Sequence, residues 1–308
     1  MPLSVFELCC FPIIALTLAS LAWVRRRSGQ RLSVLFTEYG VLAVAGYLGE
    51  ETCISWYRFY AYAEGWHAKL DHVPALIVLI WPLFILSGRD MGALFFPRAP
   101  AWLSTSLMVL FDASLVEVIA VRAGYWSWAE PGHLGVPFIG MLGWSFFAVG
   151  AAYGLGGALG RGMRDHSWKA ALLTIASAFA STHILIFGAW WCFFRFVARG
   201  DMRLLGFVPL TALGLMGLYL LVRSSRSPDS AATMLAPEER AGALMRVVFP
   251  RLAATALFVV IAARTVHSLR DPLLAHIVLV GATYSVASLF YLYVRVERKA
   301  GAIPEVST

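Results

Sequence analysis

Asp112 and Glu117 lie inside one long apolar run, where an isolated charge is strongly unfavourable, so both are functional candidates. Carboxyl groups in desolvated pockets serve as proton donors and acceptors. His183, within Ser181-Thr182-His183, is a third candidate for the same chemistry. After Glu117 come Tyr125, Trp126, Trp128 and Trp144, with Trp190 further on. Their ring faces can stack on a conjugated ligand or stabilise a carbocation by cation–π attraction. A second group comprises Glu50, Glu51, His67, Asp71 and His72. It contains neither HExxH nor a repeated His box, so no metal is expected, and the absence of Rossmann and P-loop signatures points to chemistry without a cofactor. Structural roles compete at each position: an arginine partner for an acid, an interhelical hydrogen bond for His183, and a solvated helix end for Glu50 and Glu51.

These residues need apolar helices to position them. The chain has 308 residues, 59% hydrophobic and only 14% charged, which does not suit a water-soluble domain. We expect an all-α, polytopic integral membrane bundle in the cell's inner (plasma) membrane. Apolar runs of about 20 residues occur at roughly 3–24, 32–52, 73–88, 101–121, 137–160, 168–194, 203–222, 246–263 and 272–294, nine in all. Arg and Lys concentrate in alternate connections, placing the N-terminus outside and the C-terminus in the cytoplasm, although Arg195, Arg199 and Arg203 run against that count. The net charge of +7 is spread over these connections and forms no continuous basic face, so nucleic acid is not an expected partner. The polar stretch 224–245 divides a seven-helix unit, 1–223, from a two-helix appendage and tail, 246–308. The oligomeric state is not legible.

Depth along these helices limits what can meet. Measured from the cytoplasmic end, Asp112 lies about 16 Å in, Glu117 about 24 Å and His183 about 21 Å. Trp144 enters from the opposite face and reaches about 10 Å. Asp112 and Glu117 are offset by about 140° around their helix, so they cannot project in one direction. The chain also repeats itself weakly. A helix runs into Tyr60-Ala61-Tyr62, re-enters at Val73-Pro74 and meets Trp81; another runs into Trp126-Ser127-Trp128, re-enters at Val136-Pro137 and meets Trp144.

Residues 45–150 resemble the carotenoid-biosynthesis membrane protein family that contains the carotenoid hydratases, such as bisanhydrobacterioruberin hydratase and γ-carotene hydratase. The resemblance is carried by Asp112, Glu117, Ala120-Val121-Arg122-Ala123-Gly124-Tyr125-Trp126-Ser127-Trp128, Gly135-Val136-Pro137 and Leu142-Gly143-Trp144. Upstream it includes Gly49-Glu50-Glu51-Thr52, Tyr60-Ala61-Tyr62, Lys69-Leu70, Val73-Pro74 and Trp81. The chain departs from the family at Val118, where Pro is usual, at Gly140-Met141, where an Asn is usual, and at Gly46, where an acid is expected. The resemblance implies a carotenoid or polyisoprenoid substrate and a hydro-lyase adding water to a terminal C=C bond, with membrane lipids as the surroundings. Cyclisation or isomerisation of an isoprenoid, and non-catalytic passage of a lipid, pigment or proton, are the alternatives.

Overall fold

The computed structural model describes residues 1–27, 29–96, 99–130, 132–156, 167–188, 237–266, 268 and 270–280. The described chain is mostly helical: α1 (Leu3–Arg27), α2 (Leu32–Ser55), α3 (Ala75–Phe95), α4 (Ala101–Arg122), α5 (Phe138–Leu155), α6 (Trp168–Gly188) and α7 (Pro237–Thr265). Three two- or three-residue strands, β1 (Tyr60–Tyr62), β2 (Lys69–Leu70) and β3 (Val73–Pro74), lie between α2 and α3, and β4 (Trp126–Trp128) follows α4. Among the described residues six helices are long and apolar enough to cross a membrane, and α5 is a shorter apolar helix. The expected span at 203–222, and all of 272–294 beyond the helical residues 272–280, lie outside the described residues.

Helix boundaries follow local chemistry. Pro74, Pro100 and Pro137 stand immediately before α3, α4 and α5, where a ring-fixed φ near −60° is suited to a helix start and no amide donor is lost. At the other end of α4, Gly124 takes φ +75°. The amide of Tyr125 then donates to the carbonyl of Ala120 at 3.0 Å, closing the helix and turning the chain into β4.

The two repeats meet at their strands. β1 pairs antiparallel with β4, with Tyr60 opposite Trp128, Ala61 opposite Ser127 and Tyr62 opposite Trp126. Equivalent strands paired about their own midpoints are what a local two-fold relation between the repeats produces. α4 packs between α3 and α5, and α6 packs on α5 and α2.

The C-terminal region differs from expectation in two ways. Residues 237–245, expected in a polar loop, belong to α7, and α7 packs on α1, α3 and α4 instead of standing apart as an appendage. Charge pairing is the physical reason. Arg251 of α7 binds Asp112 of α4, and Asp271 binds Arg122 at 2.9 Å, so the bundle supplies partners for charges that an isolated pair of helices would leave bare.

Candidate functional site

Glu117 is 3% exposed and accepts three indole hydrogen bonds. Trp126 and Trp128 both donate to its Oε2, at 2.9 and 3.1 Å, and Trp144 donates to Oε1 at 2.7 Å. Strand alternation explains the first two donors, since residues two apart in β4 share a face. Trp144 follows Pro137 by two helical turns, which brings it to the same carboxylate.

Glu50 of α2 is the counterpart in the other repeat. It is 8% exposed, accepts from Tyr60, from Tyr62 at 2.8 Å, and from the Trp81 indole at 2.8 Å. The donors of the two half-sites also touch each other across the two-fold relation. Ring centroids are 4.7 Å apart for Tyr60 and Trp128, 5.8 Å for Tyr62 and Trp126, and 4.9 Å for Trp81 and Trp144. Burial first, and then the Glu50 carboxylate, raise the Tyr60 and Tyr62 hydroxyls well above the ordinary phenol range, so both keep their protons.

Both carboxylates and all six donors line one apolar cavity of about 150 Å³. Phe6, Phe84 and Phe258 supply further aromatic wall. Such a space suits an apolar molecule whose reacting atom passes between two acids among aromatic faces.

The other candidate residues are placed elsewhere. Asp112 accepts from Arg251 Nη1 through both oxygens at 2.7 Å, and its side chain is not in the cavity wall. This pairing is the structural alternative for the acid, a carboxyl matched by an arginine partner. His183 bonds the Thr52 hydroxyl at 2.9 Å and the Tyr57 hydroxyl at 3.0 Å, packed by Trp56 and Phe179. The cavity takes Thr182 and Ile186 from α6 instead, so His183 faces another way. Tyr125 is a packing residue: its ring stacks on Phe6 at 4.6 Å and its hydroxyl donates to the carbonyl of Met1. Trp190 lies outside the described residues.

The second acidic and histidine group disperses. Only Glu50 enters the cavity, while Glu51 binds His72 at 2.8 Å together with Ser55, Asp71 binds Tyr47, and His67 binds Glu7. Among the described residues no three His, Cys, Asp or Glu side chains converge as metal ligands.

Two glycines have a steric role. A Cβ at Gly46 would stand 2.9 Å from Cβ of Trp81, and one at Gly140 would stand 2.7 Å from Cζ2 of Trp128. Each glycine makes room for a tryptophan that binds a site carboxylate. Gly140→Ala is expected to displace the Trp128 ring, break its bond to Glu117 and lower stability by about 1–3 kcal/mol, the usual consequence of overpacking. Thermal unfolding checks this, and an unchanged midpoint would mean that the ring has room to give.

Tyr60, Tyr62 and Trp81 were legible as members of the repeat and of the resemblance, not as partners of Glu50. Glu50 stands nearly as far before Tyr-x-Tyr as Glu117 stands before Trp-x-Trp, with offsets of 10 and 12 residues against 9 and 11. No family model, curated protein sequence or solved structure matches the chain.

Proposed function

We propose that this chain is a multi-pass enzyme of the cell's inner membrane, N-terminus outside, that adds water across a terminal C=C bond of an acyclic carotenoid or polyisoprenoid without a cofactor. The observation that carries the reading is the pair of buried carboxylates, Glu50 and Glu117, each held by three aromatic donors and both facing one apolar cavity. The resemblance supplies the substrate class. Its motif residues Tyr60, Tyr62, Trp81, Glu117, Trp126, Trp128 and Trp144 are the ones that converge on the cavity.

Protonation of the alkene carbon uses the π electrons to form a C–H bond and leaves a tertiary cation. Aromatic faces and a carboxylate stabilise that cation, and water then adds to it and gives up a proton. The same cation losing a neighbouring proton, without water, gives cyclised or isomerised product, so the fate of the cation separates the two readings.

The test is expression in a bacterium that accumulates lycopene, with pigments analysed by mass, repeated in hosts that make other acyclic carotenoids. A gain of 18 Da, the mass of one water, is expected, and it should vanish in the Glu50→Gln, Glu117→Gln double variant. Unchanged mass with shifted retention means cyclisation or isomerisation. Identical pigments from wild type and double variant across the panel refute the enzyme reading and leave a binding or transport role.

A further inference from the structure

The two half-sites match in position but not in chemistry. All three donors to Glu117 are indoles, and an indole N–H can donate but cannot accept. A proton on Glu117 would find no acceptor among these three donors. Two of the three donors to Glu50 are hydroxyls, which donate and accept. A protonated Glu50 can therefore donate to one tyrosine while accepting from the other and from Trp81, with the first tyrosine's own hydrogen turned away from the carboxyl.

A second feature points the same way. Outside the β1–β4 pair lies an open pocket of about 550 Å³ lined by Ser55, Arg58, His72 and Ser127. Tyr60 and Trp128 line both this pocket and the inner cavity, and their rings, in contact at a 46° tilt, form the partition between them. The Glu50 half thus places a hydroxyl at the partition, whereas the Glu117 half places an indole there.

We propose that Glu50 is the proton donor of the site, reloaded from the outer pocket through the Tyr60 hydroxyl, while Glu117 remains a carboxylate that holds the cation. The assignment rests on the reaction proposed above. Glu50 gives its proton to the alkene carbon, whose π electrons form the C–H bond. A water from the outer pocket forms the C–O bond with an oxygen lone pair, and the resulting oxonium returns a proton through Tyr60 to the Glu50 carboxylate. The product is substrate plus water, and the enzyme's proton count is unchanged.

Infrared spectroscopy of the full-length protein in lipid nanodiscs tests the assignment without turnover. A protonated-carboxyl C=O band present in wild type should be lost in Glu50→Gln, shifted in Glu50→Asp and retained in Glu117→Gln. On transfer to heavy water its isotope shift should be slower in Tyr60→Phe than in Tyr62→Phe. Loss of the band in Glu117→Gln, its persistence in Glu50→Gln, or equal exchange in the two tyrosine variants would overturn the proposal. If Glu50→Gln does not fold, the Glu50→Asp shift and the Glu117→Gln spectrum decide. A chain that shows this band pattern yet leaves every tested pigment unaltered fails the hydratase reading alone.

Discussion

Glu117→Gln is expected to destabilise the protein by about 1–3 kcal/mol, the effect of leaving one buried donor without an acceptor, while Glu50→Gln should lower the unfolding midpoint less, because its two hydroxyl donors can rotate and accept. Glutamine has one acceptor oxygen and one NH₂ group, which donates only. At position 117 the oxygen can serve Trp126 and Trp128, but the NH₂ then faces the Trp144 indole, donor against donor. Turning the amide over opposes two indoles instead of one. At position 50 the oxygen can accept from Trp81 while the NH₂ donates to the Tyr60 and Tyr62 oxygens, so no donor is forced against a donor, although each hydroxyl hydrogen must turn away from position 50. Thermal unfolding of both variants in the same detergent measures the difference. Equal midpoints would show that Trp144 does not hold Glu117 as described. In the pigment assay both variants should fall by about 10²–10⁴-fold, the contribution of a positioned acid or base, so stability, not activity, separates them.

The fold was legible wherever one segment determined its own state. Apolar runs bounded by Pro74, Pro100 and Pro137 locate α3, α4 and α5, because helix length and start signals are local properties. Glu117 and its tryptophans were likewise within reach, since strand periodicity and the seven-residue step from Pro137 to Trp144 work over short distances. Rotation about the helix axis was not. His183, expected at a depth similar to that of Glu117, turns toward Thr52 and Tyr57, because depth follows from counting residues and direction follows from which neighbours pack beside the helix. Glu50 posed the reverse problem. Its position near the end of α2 suggested solvent, and only the pairing of β1 with β4 closes the cavity over it. The outlying departure at Gly46 became intelligible once Trp81 was seen against it.

Asp112 was the least legible of all, because its partner lies 139 residues away across a stretch that carries no local signal of contact. The pairing makes a second large effect expected. Asp112 and Arg251 side chains are 20% and 12% exposed, and Arg251 also donates to Ser87 at 3.2 Å. Removing either partner alone, as Asp112→Leu or Arg251→Met, should destabilise by about 3–5 kcal/mol, because the survivor is a buried charge without compensation. Removing both should recover most of that loss, since two apolar side chains of similar volume replace a desolvated ion pair with ordinary packing. The shortfall of the double variant from the sum of the singles is the coupling energy, read from thermal unfolding of all four proteins. Additive losses would mean that the two residues act independently and would reopen Asp112 as a site residue. Strong coupling would mean that this charge fastens α7 to α4, and that the acid available for chemistry in α4 is Glu117, one and a half turns further along and facing the other way.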